Sequence, residues 1–204
     1  MRYVVAVAGP AGGGKTSLVR GLVARLGDAA AIYMDDYERM TRAPIAELVQ
    51  WVERGAHVEE LSVPLLADHL RELKGGRPVA GPGRPTPTEP RKYVVFETQF
   101  GRAHRPTGEQ IDLLIWIDTP LEIALARKLK DVTAEALRDG RVQAARERLA
   151  WLDGYLANYL ALVRRLMLMQ HERVRPHADV VVDGAVGLPA LVQQAHELIV
   201  RRLP

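Results

Sequence analysis

Short apolar runs rich in β-branched residues occur at positions 3–8, 30–34, 93–97, 111–118 and 178–182, without a polar residue at every second place. Such runs predict strands buried on both faces, as in a parallel sheet, whereas a half-exposed strand would alternate. Between them, apolar positions recur at helical spacing over 45–54, 65–73, 121–130, 142–173 and 188–202, and a further helix opens at Ser17. Pro44 and Pro64 stand where a first helical turn accepts proline. Thr119-Pro120 reads as an N-cap followed by proline at the first helical position, directly off a strand. The 142–173 stretch is long enough to expect a break, and Pro176 closes it. Residues 75–90, rich in glycine and proline, read as a surface loop or irregular hairpin; an acceptor-side flap over 75–92 is the sharper alternative. The alternation of strands and helices predicts a doubly wound α/β sheet that binds ligands at the carboxyl ends of its strands.

Directly after the first run stands Gly9-Pro10-Ala11-Gly12-Gly13-Gly14-Lys15-Thr16, followed by Ser17 at the head of a helix. This is a P-loop (Walker A) motif in its strand-to-helix setting. Its glycines permit a tight turn whose N–H groups converge on a polyphosphate, and the helix N-terminus adds its positive dipole end there. Gly9, Ala11, Gly12, Gly13, Gly14, Lys15, Thr16 and Ser17 are therefore the expected nucleotide contacts. Lys15 is expected to reach the β- and γ-phosphates, and Thr16 to offer its hydroxyl to Mg²⁺.

Carboxylates at two other strand ends point to the same crevice. In Ile32-Tyr33-Met34-Asp35-Asp36-Tyr37-Glu38-Arg39, Asp35 is the expected base that orients an acceptor hydroxyl and takes its proton, while turn-capping is the competing role, above all for Asp36. Glu97 ends the third run and is expected at the metal with Thr16 and Asp35. A basic set follows the fourth run: Arg127, Lys128 and Lys130, then Arg138 and Arg141 around the turn Arg138-Asp139-Gly140-Arg141. Cations on a mobile segment stabilise the charge of phosphoryl transfer when a site closes, although one face of an ordinary helix would look the same. Arg127 is the expected catalytic member, with Lys130, Arg138 and Arg141 as lid contacts. Tyr37 and the loop Thr98-Gln99-Phe100-Gly101-Arg102-Ala103-His104-Arg105 supply acceptor candidates, namely Tyr37, Phe100, Arg102 and His104.

Composition narrows the class. With 48% hydrophobic residues, 204 residues suffice for one domain with a sizeable core, spanning 1–204 with room for a small lid. A net charge of +3 is too mild to imply nucleic acid or a membrane surface. The absence of cysteine excludes disulfides and thiolate metal sites. No apolar run is long enough for a bilayer span and no signal-like segment precedes the first strand, so a cytoplasmic location is the expectation.

Taken in order, the P-loop, Met34-Asp35-Asp36-Tyr37, Phe96-Glu97, Ile117-Asp118-Thr119-Pro120 leading to Leu125-Ala126-Arg127-Lys128, and Ala178-Asp179-Val180-Val181-Val182 resemble the uridine kinase and phosphoribulokinase group of P-loop kinases. The resemblance implies a five-stranded parallel core with a helical lid at about 127–145, an ATP donor, Mg²⁺ and a small-metabolite hydroxyl as acceptor. It implies Asp35 as catalytic aspartate, Thr16 and Glu97 at the metal, and Arg127 as a lid arginine. Two departures stand out. Where the family's lid has Arg-x-x-Arg, Lys130 follows Arg127, and lysine lacks the bidentate fork. Val79-Ala80-Gly81-Pro82-Gly83-Arg84-Pro85 replaces a Pro-x-Tyr-Asp-type hairpin that helps hold a nucleoside base, which argues against uridine or cytidine.

The expected activity is ATP- and Mg²⁺-dependent phosphorylation of a small-molecule hydroxyl, with no nucleic-acid or membrane partner. The alternatives are a nucleoside monophosphate or sugar-phosphate kinase, or a non-catalytic nucleotide-dependent switch. No Asn-Lys-x-Asp segment supports a GTPase, and no Leu-Ser-Gly-Gly-Gln-like segment supports a transporter ATPase.

Overall fold

The computed structural model describes residues 1–38, 43–60, 63–83 and 85–204; Arg39 of the acidic segment and Arg84 of the Gly/Pro-rich segment lie outside the described residues. Among those described, β1 (Tyr3–Ala8) is the centre of a five-stranded sheet with β2 (Ala29–Tyr33), β3 (Tyr93–Glu97), β4 (Leu113–Asp118) and β5 (Val180–Asp183), in the order β2-β3-β1-β4-β5. All pairings are parallel. Period-two geometry sends alternate residues to opposite layers. Val4, Ala6, Ala8, Phe96 and Trp116 pack with Trp51 of α2 (Ile45–Glu53) and with Leu66, Leu70 and Leu73 of α3 (Pro64–Lys74). Val5, Val7, Val95, Ile115 and Ile117 pack with Leu18, Val19 and Leu22 of α1 (Lys15–Leu26) and with Leu191, Ala195 and Ile199 of α8 (Leu188–Arg202). Both faces are covered, which is why the strands lack polar alternation.

β4 and β5 start later than their apolar runs, because a carboxylate just before each strand has taken a main-chain role. Asp112 accepts the Val4 N–H at 2.8 Å and pairs with Lys74 at 2.7 Å. Asp179 accepts the Leu114 N–H at 2.7 Å and pairs with Arg102 at 2.7 Å. β2 ends one residue earlier than its run because Met34 enters a 3₁₀ turn, Met34–Asp36. Pro64 does stand in the first turn of α3, but Pro44 precedes its helix as the N-cap residue.

After β3 comes the short α4 (Arg105–Gly108), and after β4 two long antiparallel arms, α5 (Leu121–Asp139) and α6 (Val142–Asn158), joined at Gly140, whose φ of 69° closes the turn. A π-helical turn, Tyr159–Val163, then connects to α7 (Arg164–Arg173), so the expected break is a change of helical phase rather than a gap. In the Gly/Pro-rich segment, Val79 and Thr88 are tied by mutual hydrogen bonds as an isolated antiparallel bridge. Gly76 lies beside Arg2, and Lys74 reaches Asp112. Both neighbours mark the amino-terminal edge of the sheet, opposite the edge where ligands are expected. Among the described residues, no helix is long and apolar enough to cross a membrane.

Candidate active site

The P-loop crosses the carboxyl end of β1 and is wedged against β4 and α5. Gly12 has φ of 77°, and a Cβ there would lie 2.4 Å from the Ala124 carbonyl oxygen, so any other residue would drive the loop off α5. Thr119 does not cap α5, as the sequence suggested. Pro120 is the N-cap residue, and the Thr119 hydroxyl donates to the Gly13 carbonyl at 3.1 Å, fixing the back of the loop instead. Lys15 Nζ folds back onto the Pro10 carbonyl at 3.1 Å.

In front of the loop is a crevice of about 480 Å³, walled by Ala11, Gly12, Gly14, Lys15, Thr16 and Ser17, by Met34 and Asp35 after β2, and by Glu97, Thr98 and Gln99 at the end of β3. Lys128 and Asp131 of α5 close one side, with Val163, Leu166, Met167 and Gln170 from the π-turn and α7. Thr16 Oγ1 donates to Glu97 Oε1 at 3.1 Å, and Gln99 Nε2 donates to Asp35 Oδ1 at 2.9 Å. Buried Thr98 supports both: its N–H bonds Val7 O at 3.0 Å, and its hydroxyl accepts the N–H groups of Phe100 and Gly101.

Burial pushes the Lys15 ammonium below the usual lysine range, against the opposing pull of Glu97 and Asp35. Glu97 is pushed up, first by burial and then by Asp35, with Lys15, Thr16 and Arg20 offsetting part of the shift. Two carboxylates held together near one buried ammonium lack positive charge. Their oxygens and the Thr16 hydroxyl form a hard donor set that fits Mg²⁺, a cation that takes one or two carboxylates and completes its shell with water and phosphate.

Of the expected site residues, the fold thus gathers Lys15, Thr16, Ser17, Asp35 and Glu97. It directs others elsewhere. Arg127 turns from the crevice and donates to the Gly184 and Ala185 carbonyls at 2.8 and 3.5 Å. Lys130 is exposed, Arg138 bonds Ala134 O in its own helix, and Arg141 pairs with Asp139 at 2.6 Å. The acceptor candidates in the β3 loop are structural. Phe100 packs edge-on against Trp51, Arg102 clamps His177 O and Asp179, and buried His104 has Nδ1 2.8 Å from the Thr107 hydroxyl. Tyr37 has its hydroxyl 3.0 Å from His69 Nδ1.

The crevice residues the sequence did not single out are Asp131 and Gln170, and Lys128 was named in the basic set but not chosen as a contact. For Lys128 and Asp131 the signal is periodic: Ala124 touches Gly12, and positions 128 and 131 fall on the same helical face, one and two turns on. That face became visible only once α5 proved to run through Asp139 rather than stop near Lys130.

No protein-family model matches the chain. It is 23% identical to a uridine kinase of Halobacterium salinarum over 196 residues, covering 90% of this chain and 81% of that protein. It is 27% identical to a uridine kinase of Yersinia pestis over 196 residues, covering 88% of this chain and 85% of that one. A solved structure of a possible uridine kinase from Bacillus stearothermophilus superposes with a TM-score of 0.56 at 16% identity, over 89% of each chain. Shikimate kinase from Acinetobacter baumannii in complex with shikimate superposes with a TM-score of 0.53 at 19% identity, over 98% of this chain and 94% of that one. The chain thus has the fold of the P-loop kinases, with a phosphate loop facing paired carboxylates, and is similar over nearly its whole length to proteins named uridine kinase.

Proposed function

We propose that the chain transfers the γ-phosphoryl group of ATP to a hydroxyl of a small metabolite, with Mg²⁺ bound by Thr16 and the Glu97 and Asp35 carboxylates. The observation that carries this reading is the placement of Asp35, held by the Gln99 amide, on the wall of the same crevice as Lys15 and the Thr16–Glu97 pair. A nucleotide-binding module that performs no transfer has no need of a second carboxyl-bearing strand end, besides that of Glu97, facing its phosphates. On triphosphate binding, Lys15 leaves the Pro10 carbonyl for the β- and γ-phosphates, and Lys128 approaches from α5. The acceptor oxygen then bonds to the γ-phosphorus, the bond from that phosphorus to the β-phosphate oxygen breaks, and the acceptor's proton passes to Asp35. Bound Mg²⁺ supplies positive charge to the phosphate oxygens.

The wall also favours an acceptor that carries no phosphate. A phosphomonoester would add nearly two negative charges. Among the described residues, the wall's cations are Lys15 and Lys128, set against the carboxylates of Asp35, Glu97 and Asp131. This weighs against the nucleoside monophosphate and sugar-phosphate alternatives.

The test is acceptor-dependent ADP release over a panel of nucleosides, nucleoside monophosphates, sugars, sugar phosphates and hydroxy acids. Once an acceptor is found, Asp35→Asn is expected to lower turnover by roughly 10²- to 10⁴-fold at saturating Mg²⁺, where nucleotide affinity is retained. Near-normal turnover would return Asp35 to a turn-capping role, and absence of stimulation by every acceptor would favour a binding protein.

A further inference from the structure

Lys128 and Trp151 face each other across the two long arms. Lys128 stands on α5 at the crevice wall, and its Nζ lies 5.5 Å from the centroid of the Trp151 ring on α6. The ring is not isolated. Trp151 stacks on Tyr155 at 5.2 Å with planes 9° apart, and Tyr155 leans on Tyr159 at 6.3 Å. Tyr159 is buried where α6 passes into the π-turn, so the aromatic ladder is rooted in the body of the protein and ends at the lysine.

This tryptophan is used differently from the others in the chain. Trp51 and Trp116 are core residues, 4% and 1% exposed, whereas Trp151 is 45% exposed on a helix with no buried residue. A large ring kept half in water gains little from burial, which leaves its face as the functional part. A lysine needs that help more than an arginine would. Its ammonium is a point charge on a flexible four-carbon stem without a planar fork to orient it, and an aromatic face restrains such a charge without neutralising it. A carboxylate partner would cancel the charge that the phosphates require.

We infer that Trp151 is a positioning residue: its ring holds Lys128 over the P-loop crevice from the second arm of the helical pair, and Tyr155 and Tyr159 anchor that ring. The inference rests on the proposal that a polyphosphate occupies the crevice, and its test separates the two. Binding of Mg²⁺ with the non-hydrolysable β,γ-imido analogue of ATP is measured by calorimetry for wild type, Lys15→Ala, Lys128→Ala, Trp151→Ala, Trp151→Phe and the Lys128→Ala/Trp151→Ala double variant.

Trp151→Ala is expected to weaken binding about three- to tenfold, with Trp151→Phe recovering most of the loss, as suits a weaker π face. In the Lys128→Ala background, removing Trp151 is expected to cost no more than about twofold further, because its partner is already gone. A full second loss in the double variant, or unchanged binding in Trp151→Ala, overturns the inference. If Trp151→Ala does not melt cooperatively, Trp151→Leu, which keeps bulk without a π face, is put through the same cycle. Wild-type affinity in Lys15→Ala would instead overturn the polyphosphate reading, whatever Trp151 does.

Discussion

In the proposed Mg²⁺ site Glu97 must be ionised, while burial and Asp35 both favour its protonated form. The consequence for stability has a definite sign. A carboxyl group whose folded pKa is raised contributes stability that is fully present below the unfolded value, near 4.3, and lost as pH rises through the folded value. At neutral pH without metal or nucleotide, Glu97 is therefore a net burden on the fold. Glu97→Gln, which cannot titrate, is expected to melt at about the wild-type temperature near pH 4. By pH 7 it is expected to melt higher by on the order of 1–3 °C. It should also need more Mg²⁺ for nucleotide binding, since a ligand has gone. Melting curves from pH 4 to 8 check the sign, and a difference independent of pH would remove burial of the charge as its cause. The positions of Lys15 and Asp35 at the crevice were legible from sequence because each lies just beyond a strand, Lys15 at the head of the helix after the P-loop and Asp35 in the turn after β2.

Elements set the fate of the remaining candidates. The loop after β3 carries residues suited to ligand recognition, yet Arg102 ties it to the lead-in of β5 through Asp179, which also accepts the Leu114 N–H of β4. Burial alone would raise Asp179, but the Arg102 guanidinium and the Leu114 amide outweigh it and hold the carboxyl below the usual aspartate range. A depressed carboxyl gives stability that is present above the unfolded pKa, near 3.9, and lost as pH falls through the folded value. Asp179→Asn is therefore expected to cost about 1–2 kcal/mol at pH 7, allowing for partial exposure, and progressively less in acid. Urea titrations at pH 7 and pH 3 measure it, and an equal loss at both would contradict the ionic origin. Helix α5 shows the complementary case. Its sequence displays five cations in or beside one helix, but the face touching the P-loop at Ala124 decides that Lys128 is the one presented to the crevice, while Arg127 serves the β5–α8 turn.

Across the whole molecule, the crevice draws on the ends of β1, β2 and β3 and on the helices after β4, so nucleotide binding couples to global unfolding. A ligand that binds only the native state at about 100 times its dissociation constant adds about 2.7 kcal/mol. Mg²⁺ with ATP is therefore expected to raise the melting temperature by roughly 5–10 °C in wild type, and by far less in Lys15→Ala. Differential scanning fluorimetry with and without Mg²⁺ would show it, and an equal rise in both proteins would place the nucleotide away from the P-loop. By itself the sequence determined what depends on near neighbours along the chain: the two-sided burial of the strands, the phosphate loop at the strand-to-helix junction, and carboxylates at the ends of two further strands. Tertiary structure alone decided what depends on elements far apart in sequence. It put Thr119 behind the P-loop, sent Phe100 and His104 into packing, tied Arg102 to Asp179, and set Gly76, at the start of the Gly/Pro-rich segment, beside Arg2 at the amino-terminal edge of the sheet. It also chose Lys128 from its basic neighbours and set it against Trp151. Local backbone preference and side-chain periodicity act over a few residues, whereas the side a cation faces is fixed only when a second helix and a strand end close around it.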